Sequence, residues 1–310
     1  MSFELNALRR DETEAVAKLL HQSLVHWYET NLQQGARFGN DPKPFAIFPD
    51  VYHALDPDEA IAARDVLTGN LLGVCFVHPR ETHFSVGIVS MAPEAAGKGV
   101  ARAMMGEVIK RAEAAGKPIR LVSSLLNLDS FSLYTKMGFV PRAVFQDLLI
   151  SIPENGLKHP RPAHDGNVRL AQPEDATRLA DYEMSLQGIR REQDYHFFLS
   201  NQVGKWKVWL SEDVSGEING FIVASLNPEF RMLGPGVIGD ESAALALLWH
   251  ALDDLRGLQY VFLAPASASG LIRTLYTWGA RNVELHIAQT YGETPVGIGL
   301  VFPTFLPESG

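Results

Sequence analysis

The chain has 310 residues, 46% hydrophobic and 20% charged, which is enough apolar material for more than one core; at roughly 150 residues per domain, two domains are expected. A net charge of −9 argues against nucleic acid or an anionic membrane as the main partner. The single cysteine, Cys75, leaves no internal disulfide or thiol metal site to build, and no apolar run is long enough to span a bilayer.

The opening MSFELNALRR lacks the apolar region of a signal peptide, which makes the cytoplasm the expected location, and FELN reads as a first strand. From Leu8, RRDETEAVAKLLHQSL predicts an amphipathic helix led by acids that suit the helix dipole. VHWYETNLQQG predicts a second helical piece ended by Gly35. The next stretch, to about residue 60, is rich in Pro, Gly and Asp and reads as a long loop with room for one short helix. Ile61–Leu67 and Leu71–Val77 flank Thr68-Gly69-Asn70 as a hairpin, and Cys75 inside the second strand reads as a buried structural residue.

Phe84–Met91 reads as a buried central strand, Ala95–Gly99 as a tight turn, and the residues from Val100 as a helix stopped by Gly116. Val100, Met104, Val108 and Ala112 make its apolar face, opposite Arg102, Glu107, Lys110 and Arg111. Ile119–Leu125 is a further strand, followed by a short helix Ser130–Met137 with Asp129 as its expected N-cap and Gly138 as its stop. Residues 153–166, proline-rich and without periodicity, read as a linker between domains at 1–152 and 167–310.

A turn of small residues at a helix N-terminus offers unpaired amides and the positive end of the dipole to an anion such as a pyrophosphate. No G-x-x-x-x-G-K-[ST] occurs, so the turn is not a P-loop; from Gly97 the chain reads G-K-G-V-A-R, which lacks the third glycine of a dinucleotide turn. It resembles the acyl-CoA pyrophosphate loop of the GNAT acetyltransferase superfamily, [RQ]-x-x-G-x-[GA], with Gly99 and Ala101 on the two small positions and Ala96 where Arg or Gln is usual. Downstream, Asn127, Leu133, Tyr134, Gly138 and Phe139 fall on the places of that superfamily's asparagine loop and its L-Y-x-x-x-G-F helix. The resemblance implies a mixed, mostly antiparallel α/β sheet flanked by helices, with acetyl-CoA as co-substrate.

The second half repeats the first. VRLAQPEDATRLADYEMSL restates the opening strand, turn and acid-led helix, and Leu275-Tyr276-Thr277 aligns with Leu133-Tyr134-Thr135 at an offset of 142. That register carries Gly97 onto Gly239 and Ala101 onto Ala243, but Lys98 onto Asp240 and Gly99 onto Glu241. Carboxylates in those places would satisfy the helix amides from within and repel a phosphate. The second copy is therefore expected to be a degenerate GNAT-like domain without a CoA site, in keeping with the net charge of −7 on residues 151–310 against −2 on 1–150.

The resemblance implies direct transfer of an acetyl group to a primary amine of a small or amino-acid-like metabolite. Backbone amides near Val89 and Met91 would hold the oxyanion, and Tyr134 would protonate the leaving thiolate. The cofactor set is Val89, Met91, Ala96, Gly97, Lys98, Gly99, Val100, Ala101, Arg102, Asn127 and Tyr134. Glu81 and His83 are candidate bases, against a solvated role for each, while Ser123, Ser124 or Asn127 could order a water; Trp27, Tyr28 and Ser123 are candidate acceptor contacts, against simple packing. No histidine spacing suits a metal. Trp206 and Trp209 read as core. The competing readings are a non-catalytic acyl-CoA sensor, or an acyltransferase for longer chains or a peptide N-terminus; the chain is expected as a monomer or homodimer.

Overall fold

The N-terminal hydrophobic runs fold into four strands, β1 (Phe3–Ala7), β2 (Ile61–Asp65), β3 (Leu71–Pro79) and β4 (Phe84–Met91), paired antiparallel in that order. The structure, a computed structural model, describes residues 2–163, 166–201, 204–305 and 308–309. Its packing divides into two compact units, one mainly Met1–Ile119 and the other mainly Arg120–Thr304.

In the first unit α1 (Thr13–Leu32) is one unbroken helix of 20 residues, not two pieces, because no glycine or proline interrupts it. The supposed long loop carries α2 (Ile47–Leu55), whose buried Ile47, Phe48, Val51, Tyr52 and Leu55 keep helical spacing. Pro49 hides that helix from a sequence reading, yet it sits in the first turn, where its missing N–H costs nothing. α3 (Val100–Ala114) packs on one face of β3: a Cβ at Gly73 would meet Met104 and Val100 at 3.0 and 3.2 Å. The other face meets α2, with the Tyr52 ring 4.4 Å from Phe76 and 4.9 Å from His78.

The second unit comprises β5 (Ile119–Ser124), α4 (Leu128–Lys136), β6 (Val140–Ser151), β7 (Asn167–Leu170), α5 (Ala176–Gln187), α6 (Glu192–Ser200), β8 (Trp206–Glu212), β9 (Ile218–Ser225), β10 (Met232–Ile238), α7 (Glu241–Asp254), β11 (Gln259–Pro265), α8 (Ser269–Thr277), β12 (Arg281–Tyr291) and β13 (Leu300–Phe302). Its strands run β5-β12-β6-β11-β10-β9-β8-β7, with β13 beside β10. One face is covered by α7 and α8, whose Leu247, Leu248, Leu271 and Leu275 join Leu148, Ile150, Trp209, Ile222 and Phe262 in a single core. The opposite face meets α6 through Phe221 on Tyr195 (5.1 Å) and Trp206 on Phe198 (5.0 Å), and α5 through Phe221 on Tyr182 (6.4 Å). Trp206 and Trp209 are three positions apart in β8, so they bury on opposite faces.

The strand order is not the one two separate copies would make. β12, last long strand of the second copy, lies between β5 and β6, and β6 is paired antiparallel to both β12 and β11. The packing boundary therefore falls at Ile119/Arg120, ahead of the linker read at 153–166.

Candidate active site

The turn ahead of α3 is built to leave amides open. Gly97 and Gly99 adopt φ of +71° and +83°, conformations that side chains rarely take, and nothing lies within 4 Å of where a Cβ would sit on either. Gly99 is the N-cap of α3 and no side chain caps the helix. Ala96, Gly97, Lys98, Gly99 and Arg102 are exposed, while Val100 and Ala101 are buried and anchor the helix. Within the turn the Ala96 and Lys98 N–H groups donate to Pro93 O and Ala95 O, both at 3.2 Å, while no side chain caps the positive end of the 15-residue helix that follows.

β4 leads into that turn with a bulge. Cys75 stands opposite Val89 but Val77 opposite Val86, so one extra residue at Gly87–Ile88 breaks the ladder with β3. The break lies just before Val89 and Met91, which are half-buried.

In the second unit, Asn127 caps α4: its Oδ1 accepts the N–H of Ser130 at 3.0 Å. The expected cap, Asp129, is instead an exposed residue inside the first turn, because the helix starts two residues earlier than its polar start suggested. Tyr134 is buried on α4, its ring 5.8 Å from Phe139. Ser123 is half-buried, with a buried Oγ that finds no hydrogen-bond partner.

The corresponding turn of the second copy is occupied by its own side chains. Asp240, the N-cap of α7, accepts the N–H of Ala243 at 2.9 Å, and Glu241 accepts the N–H of Leu271 in α8 at 2.7 Å. The carboxylates that the repeat register places there do satisfy helix amides, although Glu241 serves a neighbouring helix.

The two proposed bases differ in placement. Glu81 is exposed, whereas His83 is buried, its Nε2 3.1 Å from Ser85 Oγ and its Nδ1 3.1 Å from Thr82 Oγ1. In the same unit Trp27 and Tyr28 are half-buried and meet edge to face at 5.1 Å; Tyr28 also meets Phe38 at 4.8 Å, with the Arg37 guanidinium over its ring at 5.0 Å.

Two polar clusters went unread in the sequence. In the first unit, Asp56 bridges His78 (Nδ1 to Oδ2, 2.5 Å) and Arg80 (2.7 and 2.9 Å), all three buried. Burial pushes the Asp56 carboxyl up, but the hydrogen bonds from His78 and Arg80 outweigh it and hold it below the usual range. In the second unit, Ser124 Oγ donates to Glu284, and His286 lies with Nε2 3.9 Å from Glu284 and Nδ1 3.8 Å from Asp147. Asp56 and His78 are 22 positions apart and Ser124 and Glu284 are 160 apart, so no local motif announces these contacts. Among the described residues, no three His, Cys, Asp or Glu side chains gather as a metal site, and no helix is long and apolar enough to cross a membrane.

Residues 21–139 match the model of the acetyltransferase (GNAT) family. The whole chain has the fold of tandem GNAT proteins. A Pyrococcus horikoshii protein assigned as an acetyltransferase superposes with a TM-score of 0.69 at 13% identity, covering 94% of this chain and 89% of that one. The GCN5-related N-acetyltransferase of Sphaerobacter thermophilus gives 0.62 at 15% identity over 96% and 97% of the two chains. A tandem GNAT protein from the clavulanic acid biosynthesis pathway gives 0.60 at 14% over 95% and 100%. No protein of curated function matches the sequence.

Proposed function

We propose that the chain is an N-acetyltransferase that carries the acetyl group of acetyl-CoA directly to a primary amine of a small, amino-acid-like metabolite. The observation that carries this reading is the contrast between two helix N-termini in one chain. α3 is uncapped and opens through Gly97 and Gly99, whereas α7 is closed by Asp240. Pyrophosphate oxygens fit the first and are repelled by the second. CoA would supply the thioester; the residues that would hold it are those of the turn, Ala96 to Arg102, with Asn127 and Tyr134 assigned by family likeness.

In this reading a backbone N–H beside the β4 bulge, near Val89 and Met91, stabilises the oxyanion, and the Tyr134 hydroxyl delivers a proton to the departing sulfur. Trp27, Tyr28 and Ser123 are the acceptor contacts, and the second copy shapes the structure without binding CoA. A sensing role without transfer is the competing reading, favoured by Ala96 where the family keeps Arg or Gln.

Calorimetric titration with acetyl-CoA, reading stoichiometry together with affinity, tests the proposal. One site per chain supports it. Two sites would refute the closed second turn, and no binding would refute the CoA assignment.

A further inference from the structure

We propose that Arg37, held over the Tyr28 ring, selects the acceptor: its guanidinium grips the α-carboxylate of an amino acid whose aromatic or large aliphatic side chain lies on the rings of Trp27, Tyr28 and Phe38. This rests on the transferase reading above and adds the class of acceptor and the residue that recognises it.

Every residue involved lies in the first unit. Trp27 and Tyr28 stand near the end of α1, and the same helix packs against β4 and against the turn Pro93–Ala95 that leads to α3. Beyond α1 the chain folds straight back. Gln33 turns it with φ of +58°, the Gln34 N–H donates to Tyr28 O at 3.1 Å, and a 3-10 turn, Gly35–Phe38, lies down on the helix. Only glycine permits so close an approach: a Cβ on Gly35 would stand 2.8 Å from both Glu29 Cβ and the Val25 carbonyl oxygen. At the far end His21 Nε2 donates to the Gly39 carbonyl at 3.0 Å. Arg37 is therefore an exposed cation carried by a segment fastened at both ends.

Its surroundings leave one kind of partner open. The guanidinium carbon lies 5.0 Å over the Tyr28 ring and 5.5 Å from Phe38, contacts that use its charge and its flat face but none of its N–H donors. Among the described residues no carboxylate stands within ion-pair distance of it and no oxygen accepts from its side chain. Glu29, the acid that follows Tyr28, gives its carboxylate to the Gly35 N–H at 3.0 Å. A second donor belongs to the same cluster: Trp27, 5.1 Å from Tyr28, has a buried indole N–H with no partner among the described residues. A planar carboxylate matches the fork of a guanidinium whose orientation stacking has already fixed. The ring faces suit a hydrocarbon side chain, and together they define an amino acid with an apolar body.

The carboxylate takes no part in the transfer. One α-ammonium proton passes to water, the freed lone pair bonds to the thioester carbonyl carbon, the C–S bond breaks with its pair on sulfur, and a second N–H proton ends on the thiolate. Arg37 holds the same charge pair before and after, so it acts on acceptor binding and is a specificity residue, with its effect in KM and not in kcat.

The full chain is assayed by thiol release from acetyl-CoA with two probe pairs, L-phenylalanine against phenethylamine and L-leucine against isopentylamine, each pair differing only in the carboxylate. Arg37→Ala is expected to raise KM for the amino acids by about 10- to 100-fold, with kcat, acetyl-CoA affinity and both plain amines unaffected. Arg37→Lys should recover part of the loss, since it restores the charge without the fork. Unchanged amino-acid KM in Arg37→Ala overturns the proposal, as does an equal loss for amino acid and amine, which is a packing effect. A fall in acetyl-CoA affinity alone also overturns it, because Arg37 would then hold a phosphate. If no probe is acetylated, L-phenylalanine and L-leucine are titrated calorimetrically into both chains: binding weakened in Arg37→Ala supports the proposal, and equal binding, or none to the wild type, overturns it. Failure of the transferase reading shows separately, as absent acetyl-CoA binding.

Discussion

Glu241, the first residue of α7, accepts the backbone N–H of Leu271 at 2.7 Å and so caps the first turn of α8. A methyl group on Gly270 would come within 2.2 Å of the same carboxylate, so the notch between these two helix starts is filled. In the first copy the equivalent helices are treated separately: Asn127 caps α4 and α3 has no side-chain cap. Glu241→Ala is expected to lower stability by about 1–2 kcal/mol through an orphaned amide, without creating a second CoA site. Urea unfolding together with acetyl-CoA stoichiometry checks both halves of the prediction.

Charge at the first turn should matter in proportion to screening. Lys98→Glu, an exposed change that leaves both glycine conformations intact, is expected to weaken acetyl-CoA binding several-fold at low salt and less at high salt. Gly99→Glu should abolish binding, since it adds backbone strain at φ +83° to the charge. Affinity that ignores Lys98→Glu at low ionic strength would remove the phosphate assignment of this turn.

Tyr134→Phe keeps the ring that packs on Phe139 and removes only the hydroxyl. Turnover should fall about 10- to 100-fold with acetyl-CoA affinity and melting temperature unchanged. An unaltered kcat would return Tyr134 to a packing role.

The acid limb of stability should have two parts. His286 binds its proton less readily folded (about 4) than unfolded (6.5), so its contribution is complete above pH 6.5 and declines as pH falls towards 4. His286→Asn should flatten that limb, with Asp147 and Glu284 the charged groups facing the ring. Asp56 is depressed below 3.8, so its contribution persists through this range and is lost only as pH drops below that value. Asp56→Ala, which strands the buried Arg80, should cost about 3–5 kcal/mol at neutral pH. Urea midpoints from pH 3 to 8 for the three chains read out the sequence of losses.

Much of the site was legible because it is local. The strand Phe84–Met91, the small turn and the helix start at Val100 follow from hydrophobic period, glycine and charge within some thirty residues. The Asp240 cap was legible for the same reason, once the repeat register was set. Asn127 was misread as distinct from the helix cap because two polar residues, Asn127 and Asp129, both suit that role, and only the backbone path decides. The Asp56–His78–Arg80 cluster and the Ser124–Glu284 contact were out of reach: each pairs residues that only the sheet brings together. Beyond the β2–β3 hairpin, strand pairing was not legible, because an apolar alternation specifies which face is buried and leaves the partner strand open.

The exchange of β6 and β12 bears on how the chain is made. Residues 140–151 find one ladder partner in 259–265 and the other in 281–290, so a nascent chain released at the linker has emerged without either. Until synthesis passes residue 290, β6 keeps at least one unpaired edge on the ribosome, exposed to misassembly with neighbouring chains. A gene for this protein, though built from a repeat, cannot be split at the repeat boundary and expressed as two independent halves; the halves should be recovered only by co-expression, as a complementing pair.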